Sequence, residues 1–282
     1  MPTSLKLAAR DPPAGPPERG QRGIQSVEVG GRLLVALAHA GRPMALKDLA
    51  REAAMAPAKA HPYLVSFGKL GLIVRDEASG RYGLGPLARQ LGLISMQQFE
   101  PVRLATPLLR ELAQQLGHTV AIATWGNRGA TIVRIEEAPT AVHVNMRHGT
   151  VMSLRGTASG MLFAAHLERR RVQAALLDEQ VAALREQGLA IPANLRVPIE
   201  PALEARWAEI RRHGISRVAG GAVAGVSAMA APVFDEAGQI VLSLTAIGPT
   251  AIFDSRLEGS VAFALRRGAD ELSRQLGAPA AA

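Results

Sequence analysis

Apolar residues recur at helical spacing three times before residue 70 and then give way to short extended runs. Val27, Leu33, Leu34 and Leu37 predict a first helix over Val27–Ala40, with Ser26 as N-cap and Gly41 as stop. After the turn Gly41-Arg42-Pro43, the segment Leu46–Ala54 turns Leu46, Leu49, Ala50 and Ala53 inward. Lys47, Asp48, Arg51 and Glu52 face outward, which predicts a second, short helix. Pro57 suits the first position of a third helix, which runs to Lys69 on the buried stripe Leu64, Phe67 and Leu70 and stops at Gly71. Its other face carries Lys59, His61 and Ser66. Leu72–Arg75 and Arg81–Leu84, joined by Asp76-Glu77-Ala78-Ser79-Gly80, predict a hairpin. Three helices followed by a hairpin form a winged helix-turn-helix, in which the exposed face of the third helix can enter a major groove.

Beyond Pro86 the spacing of Leu87, Leu91 and Ile94 predicts a linker helix to Gln98, and Pro101 opens another over Val102–Leu116, closed by Gly117. The pattern then turns β-branched and alternating over Thr119–Thr124, Thr131–Glu136 and Val142–Met146, which predicts antiparallel strands. Helices follow at Ala158–Leu167, Glu168–Leu177 and Pro201–His213, the last ending at Gly214. Strands at Ser227–Phe234 and Gln239–Ile247 and an amphipathic helix from Ser255 to Leu276 complete an α+β chain. The organisation expected is a leader over 1–22, a winged helix-turn-helix over 23–85 and a linker helix over 86–100. A larger domain over 101–276 and a tail over 277–282 follow.

Composition narrows the classes. With 282 residues at 48% hydrophobic content, the chain can bury two cores, so a mainly disordered chain is excluded. No cysteine is present, which removes disulfides, thiolate catalysis and Cys-type zinc sites. No uninterrupted apolar window reaches the roughly 18 residues of a membrane span. The proline-bearing leader lacks the apolar core of a secretory signal, and the expectation is a cytoplasmic protein. The net charge is +8, and residues 1–100 hold 13 Lys and Arg against 8 Asp and Glu, an excess that attracts a polyanion through counterion release. Neither G-x-S-x-G, a P-loop nor a dinucleotide-binding glycine motif after a strand occurs, and no base is assigned to Ser159, so an enzyme is not expected. His143 and His148 lack carboxylate or Cys neighbours at ligand spacing, and neither metal nor cofactor is expected.

The stretch from Gln25-Ser26-Val27 through Leu46-Lys47-Asp48-Leu49-Ala50, Lys59-Ala60-His61 and Leu70-Gly71-Leu72 to Gly80-Arg81-Tyr82-Gly83-Leu84-Gly85 resembles the DNA-binding domain of the IclR family of bacterial regulators. The second half is similar to the same family's effector domain through Arg155-Gly156-Thr157-Ala158-Ser159-Gly160, Gly225-Val226-Ser227-Ala228, Ala231-Pro232-Val233-Phe234-Asp235 and Gly248-Pro249. The resemblance implies a GAF-like antiparallel sheet flanked by helices, an organic-acid or aromatic effector, and a homodimer or homotetramer on a palindromic double-stranded operator, with repression the commoner outcome. It places effector contacts near Ala158, Ser159, Val226, Ala228, Thr245 and Ile247, with Arg155 or Asn145, Arg147 and His148 nearby as steering groups. Only Ser159 and Thr245 of the first six carry hydroxyls, so a carbon-rich acid is expected rather than a very small one.

The chain departs from that pattern on the third helix. Where relatives commonly carry Ser or Thr and an arginine, this chain has Ala56, Ala58 and Pro62. The missing cap costs about 1 kcal/mol. A proline inside a regular helix costs on the order of 3 kcal/mol and requires a kink, a later start or support from packing. DNA contact then rests on Lys59, His61, Tyr63, Ser66 and Arg81, with Lys47 and Arg51 as phosphate contacts. The competing expectation is a ligand-binding or protein-interaction module whose DNA binding is weakened by Pro62 and Ala56.

Overall fold

A computed structural model describes residues 24–137, 146–220 and 223–279. The leader therefore lies outside the described residues, as do Val142–Asn145, with His143 among them. The chain divides into two compact units at Gly85/Pro86.

The first unit is built from α1 (Gln25–Ala40), α2 (Leu46–Glu52), α3 (Pro57–Lys69) and the hairpin β1 (Ile73–Arg75) and β2 (Tyr82–Leu84). Leu33, Leu37, Leu49, Ala50, Ala60, Leu64, Ile73 and Tyr82 make its core. Ser26 does not cap α1. The helix begins two residues earlier than expected with Ile24 at the N-cap and no side-chain bond, and Val27 is 67% exposed. Leu70 also leaves the expected stripe and is exposed at the still-helical C-cap of α3, ahead of the turn that Gly71 makes with a positive φ. Pro62 stays inside a continuous α3, and Ala56 at its N-cap provides no side-chain bond. The hairpin closes on the helices where β2 bridges Met44 and where the Gly85 N–H donates to Leu72 O at 2.8 Å. A Cβ on Gly85 would lie 2.3 Å from Gly71 O, so only glycine permits that approach.

The second unit opens with α4 (Pro86–Gln98) and α5 (Glu100–Leu116) and centres on a five-stranded antiparallel sheet ordered β4-β3-β7-β6-β5. Its strands are β3 (Thr119–Trp125), β4 (Ala130–Glu136), β5 (Ser216–Ala219), β6 (Val226–Phe234) and β7 (Ile240–Pro249). The period-two alternation separates two faces. Val120, Ile122, Met229, Ala231, Leu242 and Leu244 pack against α5 and the closing helix α9 (Ser260–Gln275). Ala121, Ala123, Ile132 and Ala230 face the core shared with α6 (Ala158–His166), α7 (Arg169–Glu186) and α8 (Pro201–His213).

The second unit also differs from the sequence reading. Helix α7 continues past Leu177 to Glu186, where the half-buried Val181 and Leu184 keep the helical spacing of Leu177. The closing helix begins at Ser260 rather than Ser255, because Asp254 gathers the intervening turn by accepting from Arg256 and from the Ser260 N–H at 3.0 Å. The edge strand β5 had not been foreseen.

Candidate functional site

The first candidate surface is the outer face of α3. At about 100° per residue, Ala58, Pro62, Val65 and Lys69 form its crest, with Lys59 and Ser66 on one flank and His61 on the other. All of these side chains are exposed. Pro62 thus occupies the middle of this outer face. The Ser66 hydroxyl donates to Pro62 O at 3.0 Å and is turned back onto its own helix.

Tyr63 is not on this face. It is half-buried against α1, where a Cβ on Gly30 would lie 2.7 Å from its ring, so its helical phase makes it core. Lys47 is exposed on α2, and Arg51 is exposed but ion-paired with Asp48 at 2.9 Å. Arg81 is exposed where the hairpin loop enters β2, its guanidinium within 3.5 Å of Pro43 O. The turn before it is shaped by Asp76, which accepts from the Ser79 hydroxyl at 2.6 Å and the Ser79 N–H at 2.7 Å. Those bonds hold its carboxyl below the usual carboxylate value.

The second candidate is a cavity of about 350 Å3 in the larger unit. Its floor runs across three strands through Val218, Ala228 and Ile247, which stand opposite one another in register. Thr245 has alanine on both neighbouring strands, Ala121 on β3 and Ala230 on β6. These small side chains let α6 approach until the Ser159 and Thr245 hydroxyls are 2.9 Å apart, with Thr245 in turn 3.3 Å from Ser243. All three are buried polar groups.

The N-terminal turn of α6 opens into this cavity through Gly156, Thr157, Ala158 and Ser159. Thr157 caps the helix by accepting from the Gly160 N–H at 3.1 Å. The facing wall comes from Met146, Arg147, Thr150 and Met152. That segment is tied along β4, with the Ile132 N–H donating to Thr150 O at 2.9 Å and the Met152 N–H to Ala130 O at 2.7 Å.

Ala158, Ser159, Val226, Ala228, Thr245 and Ile247 therefore surround one cavity. Arg155 does not join them. Its guanidinium turns to Glu200, 3.9 Å away, because an ion-pair partner lies on that side. His148 is exposed and off the lining, and Asn145 lies outside the described residues. Among the described lining residues the one charged group is Arg147. Met146, Thr150, Met152, Val218 and Val223 were missed because a wall assembled from loop and edge strand has no periodic signature. Among the described residues no three His, Asp or Glu side chains gather as metal ligands, and no helix is long and apolar enough to cross a membrane.

Comparison with known proteins matches residues 26–77 to the IclR helix-turn-helix domain and residues 95–274 to the bacterial transcriptional regulator IclR C-terminal domain. The transcriptional repressor IclR of Escherichia coli is 24% identical over 259 residues, covering 91% of each chain. The crystal structure of Pseudomonas aeruginosa HmgR is 34% identical over 92% of this chain and 100% of its own, with a TM-score of 0.56. An IclR homologue from Microbacterium hydrocarbonoxydans, crystallised with 4-hydroxybenzoate, shares the fold at 19% identity and a TM-score of 0.65, covering 89% of this chain and 98% of its own.

Proposed function

The chain belongs to the IclR family of bacterial transcription regulators, and on that premise we propose that it represses transcription from a palindromic operator as a homodimer or homotetramer released or retained by a carbon-rich carboxylic acid. The observation that carries the ligand class is the cavity itself. One end presents hydroxyls and the amides of a helix N-terminus, which suit a carboxylate. The rest, from Met146 and Met152 to Val218, Val226 and Ile247, is apolar and suits a ring or alkyl body. At about 350 Å3 the space exceeds what a two- or three-carbon acid fills. The aromatic acid held by the Microbacterium homologue is of this chemistry.

Lys59, His61 and Ser66 on α3, with Lys47, Arg51 and Arg81 around it, are the proposed operator contacts, and the excess of basic residues before position 100 supports them. Regulation needs only that the ligand favour one of two placements of paired DNA-binding heads.

Calorimetric titration of the full chain with 4-hydroxybenzoate, benzoate, pyruvate and glyoxylate tests the ligand class. Binding of the two small acids alone overturns it. An electrophoretic shift with the chain's own upstream DNA across a salt series tests the operator. A specific band with a steep salt slope is expected, and absence of any shift at low salt, with and without the acids, defeats the reading.

A further inference from the structure

Glu179 lies on α7, outside the lining of the cavity, yet its carboxylate begins a continuous set of hydrogen bonds that ends on the cavity's polar rim. One oxygen accepts the Ser153 hydroxyl at 2.5 Å and the other the Leu154 N–H at 3.1 Å. The Ser153 hydroxyl oxygen in turn accepts from the N–H groups of Arg155 at 3.2 Å and Gly156 at 3.1 Å. The Ser153 carbonyl accepts the Thr157 hydroxyl at 2.7 Å, and Thr157 caps Gly160.

The turn is also held by shape. A Cβ on Gly160 would sit 2.0 Å from Ser153 O, so the turn lies against the first turn of α6 with no slack. A charged acceptor bonded to two donors is stronger than a neutral pair, and it polarises the Ser153 hydroxyl so that its oxygen accepts more strongly from the two amides beyond.

We infer that Glu179 is a positioning residue for the ligand: by holding Ser153 and Leu154 it sets where Gly156, Thr157 and the opening amides of α6 stand at the cavity. It touches no ligand itself. The inference rests on the ligand reading above, and it makes α7 the element through which a change in occupancy of that rim is felt.

The test uses full-length wild type, Glu179→Ala and Glu179→Gln, each measured well below its unfolding temperature. Readouts are 4-hydroxybenzoate affinity by calorimetry, amide hydrogen exchange of peptide 153–161, and operator affinity without ligand. In Glu179→Ala, exchange of that peptide is expected to accelerate at least tenfold and 4-hydroxybenzoate binding to weaken at least tenfold, with operator affinity unchanged. Glu179→Gln, which keeps one acceptor for Ser153 but offers no second one to Leu154, is expected to fall between. A purely structural role lowers the unfolding temperature and leaves the affinity alone, and that outcome overturns the inference. Should wild type bind neither 4-hydroxybenzoate nor benzoate, the ligand reading fails. Exchange then decides separately: acceleration in 153–161 upholds Glu179 as the setter of the turn, and unchanged protection refutes it.

Discussion

The hydroxyl oxygens of Ser159 and Thr245 lie 2.9 Å apart although the residues are 86 positions apart in the chain. One sits in the first turn of α6 and the other in the middle of β7, so the pair marks where helix and sheet meet at the cavity's polar end. Thr245→Val keeps the volume and removes the hydroxyl, which leaves Ser159 and Ser243 without their shared partner. Loss of about 1–3 kcal/mol of stability is expected, together with roughly tenfold weaker carboxylate binding. Calorimetry and thermal melts check both. Unaltered affinity shows that the carboxylate is anchored elsewhere.

Pro62 interrupts the backbone bonding of α3 and occupies the crest of its outer face. Pro62→Arg restores an N–H toward Ala58 O and places a guanidinium where a phosphate or guanine contact can form. The variant is expected to be more stable by up to about 3 kcal/mol, to bind the operator more tightly, and to steepen the salt slope by about one unit. Shift assays at matched salt measure the change. No gain in affinity means that α3 does not meet the duplex through this face.

His166 is packed edge-on to Phe234, and burial first, then the nearby charge of Arg211, lowers its pKa from 6.5 to about 4. The folded protein thus holds a neutral imidazole that the unfolded chain protonates more readily. Stability is full above about pH 6.5 and is lost as pH falls toward 4, by at most roughly 3 kcal/mol for this group. His166→Phe is expected to flatten that part of the stability-against-pH curve. An identical slope in the variant assigns the acid sensitivity to other groups.

Gly85→Ala is expected to destabilise the N-terminal unit, because the added Cβ would lie 2.3 Å from Gly71 O and backbone has no rotamer with which to yield. Operator binding should fall with it, while 4-hydroxybenzoate affinity, which depends on the other unit, should hold. Calorimetric melting with and without the acid separates the two. Normal operator binding by this variant shows that the hairpin can shift without cost.

Much of the fold was legible because its elements carry strong local signals. α3 and α8 have the bounds that Pro57 and Pro201 at their starts and the glycines beyond their ends imply. The glycines of Gly80-Arg81-Tyr82-Gly83-Leu84-Gly85 have a tertiary cause as well as a local one, since Gly83 lies against Pro43 and Gly85 against Gly71. β5 was not legible. Four residues at a sheet edge, Ser216-Arg217-Val218-Ala219, alternate in burial over too short a span to show a period. Tyr63 and Arg155 were misplaced for the same kind of reason. A polar tip or a charge suggests contact with a ligand, but the helical phase of Tyr63 and the Glu200 partner of Arg155 decide where each points.

Residue order alone determined the periodicities, the stops and the succession of helices and hairpin, because these follow from backbone conformation and from which side of an element is apolar. Only the tertiary structure decided the cavity. Its floor joins Val218, Ala228 and Ile247 from three strands, its rim is set from α7 through Glu179, and its far wall is a loop held along β4. Such a site is made by closing long stretches of chain onto one another, and the distances that result are properties of packing rather than of any local pattern.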